Sequence, residues 1–210
     1  MKVLVVYESM YGNTHVVAGH IGDGLGDAGE VDVVPVGEAT AERVAAADLL
    51  VVGGPTHVHG MSTKMSRGQA VAEETLTHEA EKGHDLEVDP DAEGPGLREW
   101  FNGMTLGHRV MAAAFDTRMG GPAMLTGQAS KGIRRRLEHH RCHVIAAPES
   151  FLVDKENHLE PGEADRATAW GRSLLGKVAG AARAQAESGP DEVEVLDEIV
   201  ESGGRFAPPR

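Results

Sequence analysis

The chain has 210 residues, a formal net charge of −13 and a single cysteine, Cys142. This length can bury one sizeable α/β core, and no apolar run is long enough to cross a bilayer. The negative charge disfavours nucleic acids and anionic membranes as partners. One cysteine excludes an intrachain disulfide, so we expect a cytoplasmic protein.

The first predicted strand leads directly into a loop that suits a phosphate group. Val3 to Tyr7 is an unbroken apolar run, typical of a strand buried on both faces of a parallel sheet. The loop Ser9-Met10-Tyr11-Gly12-Asn13-Thr14 follows and opens a helix, whose unpaired N–H groups attract anions. The loop holds no Lys or Arg, and it lacks both Gly-Lys-Ser/Thr and G-x-G-x-x-G. A monophosphate is therefore the predicted ligand.

Strand three ends in a second special loop. Leu49 to Val52 is apolar, and Gly53-Gly54-Pro55-Thr56 follows before the chain reaches Gly60. The glycine pair predicts a close backbone approach, and Pro-Thr predicts a turn. In a doubly wound sheet, ligands bind at the carboxyl ends of the strands where the strand order reverses. The loops after strands one and three are therefore expected to share one site.

The remaining elements complete one predicted domain. We predict strand four at Arg109 to Phe115, a loop at Asp116 to Gly121, a helix at about Ala129 to His140, strand five at His143 to Ala146 and a final helix at Asp165 to Arg183. Five short strands that alternate with helices indicate a doubly wound α/β fold.

The Ser-x-x-Gly-Asn-Thr loop resembles the phosphate loop of flavodoxins, which bind flavin mononucleotide (FMN). The second loop, with Pro-Thr and then Gly, resembles the ring-contacting loop of flavodoxins and of related flavin quinone reductases. The resemblance covers about residues 1–62 and 97–183. It implies an α/β, flavodoxin-like doubly wound five-stranded parallel sheet of order 2-1-3-4-5, with helices on both faces, as a domain of residues 1–183. It also implies FMN as cofactor and electron transfer with partner proteins. The alternative is an FMN-dependent NAD(P)H:quinone-type oxidoreductase.

The resemblance also implies which residues bind the cofactor. The side chains of Ser9, Asn13 and Thr14, with backbone N–H groups of residues 10–14, would hold the phosphate. Two further segments would line the two sides of the flavin ring. The full implied set is Ser9, Met10, Tyr11, Gly12, Asn13, Thr14, Pro55, Thr56, His57, Gly60, Phe115, Asp116, Thr117 and Arg118.

The chain departs from flavodoxins in its aromatic residues. No Phe, Tyr or Trp occurs at residues 55–62 or 116–121, whereas flavodoxins commonly stack aromatic rings on the flavin. Tyr11 stands where the family usually has a second Thr. We expect weaker flavin binding, or cover from Trp100, Tyr11 or a neighbouring subunit. A protein that keeps the fold without the cofactor is a third hypothesis.

Two acidic segments lie outside the resemblance. Residues 62–96 form an insertion with a weak helical pattern at Lys64 to Glu81, and residues 184–210 form a tail. Residues 73–93 hold nine acidic residues and one Lys, and residues 187–201 hold seven acidic residues and no basic one. These charges would steer a basic redox partner, or they form an ordinary solvated surface. We expect the tail to pack against its own domain or a twin subunit, which leaves homo-oligomer formation open.

The remaining motifs have plainer interpretations. His57-x-His59 and the His139–His143 segment lack the paired spacing of zinc sites, so no metal is predicted. Cys142 is interpreted as an inert core thiol. Residues 134–136 are all Arg and form a basic helix face, either an ion-paired surface or a docking site. A phospho-receiver domain is unlike this chain, which has Glu8 alone after strand one and Gly53 at the end of strand three.

Overall fold

The computed structural model describes residues 1–57, 60–62, 89, 94–105 and 109–188. Its strands are β1 (Lys2–Tyr7), β2 (Glu30–Pro35), β3 (Leu49–His57), β4 (Gly60–Met61), β5 (Met111–Met119), β6 (His143–Val144) and β7 (Glu149–Val153). Its helices are α1 (Asn13–Gly24), α2 (Ala41–Ala46), α3 (Leu97–Gly103), α4 (Ala123–Thr126), α5 (Ala129–His139) and α6 (Glu163–Ser188).

The described strands form one sheet in the order β2-β1-β3-β5-β6, and all neighbours on this path are parallel. The short strand β4 turns back antiparallel on β3, and β7 pairs in parallel with β5. Because β6 and β7 pair with successive halves of β5, they act together as the fifth strand. The predicted fold class and strand order are confirmed.

Two predicted loops are in fact strand. Pro55, Thr56 and His57 belong to β3, and Asp116 to Met119 belong to β5. The extension of β5 is paired on both sides, because Gly54 and Pro55 face Asp116 and Thr117 while β7 pairs with Phe115 to Met119. Predicted strand five was wrong in extent, since β6 ends at Val144 and the chain re-enters the sheet at Glu149.

Both faces of the sheet are buried, as the apolar strand pattern predicts. Leu4, Val6, Leu50 and Val52 point to a core shared with α2, α3 and α5. The alternating residues of the same strands point to the opposite core, shared with α1 and α6. Helix α5 presents Ile133 and Leu137 to the first core, both fully buried, as predicted. Helix α6 buries Leu174 in the second.

The chain divides into two compact units, residues Met1–Val178 and Ala179–Arg210. The predicted domain boundary at residue 183 stays a prediction. The predicted helix at Lys64 to Glu81, most of the acidic insertion and the tail beyond Ser188 lie outside the described residues. None of the described helices has the length and apolarity needed to cross a membrane.

Candidate cofactor site

The loop between β1 and α1 has the geometry of an anion cradle. Gly12 precedes the helix with φ of 81°, a left-handed conformation that favours glycine. Val16 is the first helical residue whose N–H reaches a backbone carbonyl, that of Gly12 at 2.9 Å. Within the described part of the chain, no side chain caps the earlier N–H groups. These amides, at the positive end of the helix dipole, remain available to a ligand.

Ser9 supplies a hydroxyl group that the protein leaves unused. Its side chain is buried, with 3% of the residue exposed, yet Oγ has no hydrogen-bond partner among the described residues. Buried polar atoms nearly always have a partner in native structures, so an unpartnered one calls for an explanation. An oxygen-rich ligand in the cradle gives that explanation.

Asn13 and Thr14 tie the cradle to neighbouring elements. The Asn13 amide donates to the Asn157 carbonyl at 2.7 Å, and the Thr14 and Thr117 hydroxyls are 2.7 Å apart. Two hydroxyls that share one hydrogen bond still have a second proton, which can be donated to a ligand. The side chains of Asn13 and Thr14 therefore have a positioning role that the sequence did not reveal.

Two residues that the sequence prediction missed also position the site. Glu8 is buried just after β1; its carboxylate accepts the Ser62 hydroxyl and, at 2.8 Å, the Leu97 N–H at the start of α3. Asn157 has φ of 62°, and its turn lies against Asn13. Asparagine tolerates this left-handed conformation, which is the only local signal for its role. The next residues of the cradle are Met10, which is buried, and Tyr11, which is half-buried.

The end of β3 places His57 beside the site. Thr56 and His57 pair with Met61 and Gly60 of β4, which closes the predicted ring-contacting segment into a short hairpin. Burial lowers the pKa of His57, and the nearby charge of Glu8 opposes that shift only in part. The imidazole is therefore neutral at pH 7. Its Nε2 atom is buried without a partner among the described residues, and it can serve a ligand.

Thr56 and Asp116 serve the start of α5 rather than pointing freely into the site. The Thr56 hydroxyl donates to Asp116 Oδ2 at 3.0 Å and accepts the Ala129 N–H at 2.9 Å. The same carboxylate oxygen accepts the Ser130 N–H at 2.8 Å. A carboxylate at a helix amino terminus is stabilised by the helix dipole. The other oxygen, Asp116 Oδ1, is buried and has no partner in the described part.

Phe115 and the glycine pair belong to the core. Phe115 is fully buried and makes edge contacts with Phe151 and Trp170, at ring-centroid distances of 6.2 and 6.3 Å. A Cβ on Gly53 would lie 2.1 Å from the Phe115 ring, and one on Gly54 would lie 2.7 Å from Leu97. The glycines thus admit these side chains, so the predicted close approach is made by the protein's own core.

The remaining predicted residues have structural contacts. Arg118 donates from one guanidinium nitrogen to the carbonyls of Met119 and Gly121 and to the Thr126 hydroxyl, and so orders the loop after β5. Trp100, considered as a cover for the ring, instead donates its indole N–H to the Ala39 carbonyl at 2.8 Å.

The interpretation of Cys142 as an inert core thiol agrees with the structure. Burial raises the pKa of Cys142 to about 11, which keeps its thiol protonated and unreactive. No cluster of potential metal ligands occurs in the residues that the structure describes.

Comparison with known proteins gives the same assignment as the two loops. Residues 5–92 match the flavodoxin family model. A flavodoxin from Aquifex aeolicus is 43% identical over 68 residues, which span 31% of this chain and only 37% of that relative.

Solved structures extend the likeness to the fold. A flavodoxin from the domain Archaea superposes with a TM-score of 0.54 and 19% identity over 85% of this chain and 99% of its own. Oxidised flavodoxin 1 from Bacillus cereus superposes with a TM-score of 0.55 and 16% identity, over 83% of this chain and 97% of its own.

The sheet order defines a flavodoxin-like fold, and the cradle lies at the carboxyl edge of β1. With the family match over its amino-terminal part, the chain is flavodoxin-like, and the resemblance inferred from its loops is confirmed. Proteins of the flavodoxin family bind FMN, which supports the cofactor prediction.

Proposed function

We propose that this protein binds FMN non-covalently at the carboxyl edge of its sheet and transfers electrons to and from partner proteins. The observation that carries the proposal is Ser9, a buried hydroxyl without a partner in the described residues, beside a cation-free helix start. The family match over residues 5–92 supports the same ligand. We also propose that the protein acts in the cytoplasm, as predicted from its single cysteine.

The cradle residues fit a phosphate dianion. Ser9 would donate its hydroxyl proton, and the unpaired amides at the start of α1 would donate theirs, so no cation is needed. Gly12 leaves the approach open, because a Cβ there would meet no atom within 4 Å in the part described. The Thr14 and Thr117 pair would donate its second proton.

The side chains that we assign to the flavin ring are fewer than those that the sequence predicted. Bound FMN would supply the electron-accepting ring, while the protein fixes its position and surroundings. The side chains of Phe115 and Thr56 are engaged in the core or with α5, so their contribution would come from the backbone. Asp116 would offer only its Oδ1 atom, because Oδ2 is bonded at the start of α5. His57 is the side chain whose buried, neutral nitrogen we assign to the ring edge.

Replacement of Ser9 with Ala tests the phosphate assignment. We expect FMN affinity to fall by about 1–3 kcal/mol, because one hydrogen bond to a charged group is lost from a buried position. Quenching of flavin fluorescence on titration measures the affinity. Ser173→Ala is the matched control: that hydroxyl is exposed on α6 and bonds its own helix at the Trp170 carbonyl. Unchanged FMN affinity in Ser9→Ala would refute the assignment, whereas Ser173→Ala should bind normally.

A further inference from the structure

A groove of about 800 Å³ runs along α5, and it is basic although the chain as a whole carries −13. It lies against α3 and β4 and reaches α4. Its cationic or titratable lining residues are Arg98, Lys131, Arg135, Arg136 and His139. No Asp or Glu lines it within the residues that the structure describes.

The basic side chains form a regular row on one helix face. Lys131, Arg135 and His139 are spaced four residues apart, so they succeed one another at intervals of about 6 Å along α5. In the described ranges, no ion pair engages Lys131 or Arg135. By contrast Arg134, on the same helix but outside the groove, is paired with Glu138 at 2.7 Å.

Two more arginines are held in place by uncharged acceptors. Arg98 donates to the carbonyls of Met61 and Ser62, and Arg136 donates to the Asn102 side-chain oxygen at 3.1 Å. Burial lowers the pKa of His140, and the charges of His139 and Arg136 add to that shift. The positive charges that line the groove therefore act on the neighbouring His140 side chain.

The rim of the groove adds an exposed apolar surface. Met124 lines the groove with 90% of its surface exposed, and its neighbour Leu125 is 70% exposed. Met119, the last residue of β5, is half-exposed. Methionine and arginine are enriched at protein-binding surfaces, and the flexible methionine side chain adapts to different partners. This favours a protein over a small anion as the occupant.

We propose that the α5 groove docks an acidic segment of a partner protein, with the Met124 and Leu125 rim packing against apolar residues of that segment. The basic redox partner predicted from the acidic segments would be repelled by this basic groove, so the groove needs an acidic partner. Gly60 belongs both to the groove and to the predicted ring-contacting segment, so the bound partner would lie beside the cofactor edge. That the partner exchanges electrons rests on the proposed function; the docking itself does not.

A defined peptide tests the docking without electron transfer. The probe is a fluorescein-labelled helical peptide with Glu at every fourth residue and two adjacent leucines; its twin has Lys in place of Glu. Fluorescence anisotropy with the full chain, with and without FMN, gives the affinity at low ionic strength and at about 0.15 M salt. We expect the Glu peptide to bind, more weakly in salt, and the Lys peptide to bind less tightly.

Matched double variants locate the binding site. Lys131→Gln with Arg135→Gln should weaken Glu-peptide binding about tenfold. Arg134→Gln with Lys177→Gln removes the same charge from exposed positions outside the groove and should change it less than about twofold. Thermal melts verify that both variants fold. Equal weakening by both pairs, tighter binding of the Lys peptide, or no salt-sensitive binding would overturn the proposal. Because these results do not need FMN, loss of flavin binding alone would refute only the proposed function.

Discussion

Phe115→Ala is expected to lower the free energy of unfolding by about 3–5 kcal/mol, the usual cost of removing a buried phenyl ring. The ring is fully buried and contacts Phe151, Trp170 and the space above Gly53. Chemical denaturation with a two-state fit measures the change. A residue that merely lined a ligand site at the surface would cost far less.

A substitution at Gly53 tests the same packing around the Phe115 ring. Gly53→Ala alone should destabilise the fold by about 1–3 kcal/mol or more, because its Cβ would fall 2.1 Å from the Phe115 ring. In the Phe115→Ala background the same change should cost less than about 0.5 kcal/mol, since the clash is gone. Gly176→Ala is the control: it adds a Cβ on α6 where, among the described residues beyond its own helix backbone, no atom lies within 4 Å. It should stabilise by about 0.5–1 kcal/mol. Additive costs at Gly53 and Phe115 would contradict the packing described.

Asp116→Ala should lower the free energy of unfolding by about 2–3 kcal/mol. The change leaves the Thr56 hydroxyl and the Ser130 N–H without their shared acceptor in a buried position. Asp116→Asn keeps one oxygen and should cost only about 1 kcal/mol. Amide hydrogen exchange provides a local measurement, because the Ser130 N–H should exchange faster in Asp116→Ala than in Asp116→Asn.

The control for Asp116 is an acidic residue without structural contacts of this kind. Asp23 is an exposed carboxylate near the end of α1, and Asp23→Ala should stay within about 0.5 kcal/mol of the parent chain. If Asp116→Ala were as mild as Asp23→Ala, the network of Thr56, Asp116 and α5 would not be holding the helix start.

The sequence predicted the elements whose signals are local. The apolar run of β1, the Ser9 to Thr14 loop and the periodic face of α5 each depend on neighbouring residues, and each is present in the structure. The strand order could be predicted because the loops after β1 and β3 identify a known family. The loop that we propose as the cradle lies between β1 and α1, where the sequence predicts it.

The errors arose where distant pairing overrides local preference. Gly53-Gly54-Pro55 has poor strand propensity, yet it continues β3 because β5 pairs with it. Pro55 is tolerated there because β1 ends opposite Gly53, so no strand on that side needs its missing N–H. Likewise Asp116 and Thr117 are polar, but β7 beyond them extends the ladder.

The hydrogen-bond partners of the site side chains also could not be predicted from the sequence. Residues 13 and 157 are far apart in the chain, as are Thr14 and Thr117, and only the fold brings each pair within hydrogen-bond distance. The same holds for Thr56 and Asp116, whose hydrogen bond depends on the register between β3 and β5. Family likeness gave the positions of these residues apart from Asn157, but their protein partners could be found only in three dimensions.

The most direct test of the account compares FMN with riboflavin, which has the same ring but no phosphate. The 210-residue chain is mixed with either flavin, separated from the excess by gel filtration and examined by visible absorption, and its affinities are measured by fluorescence titration. We expect the protein to retain FMN and to bind riboflavin about 100-fold or more weakly, because the cradle amides and Ser9 then lack their anion. Equal affinity for the two flavins, or no retention of FMN, would contradict the proposed phosphate site.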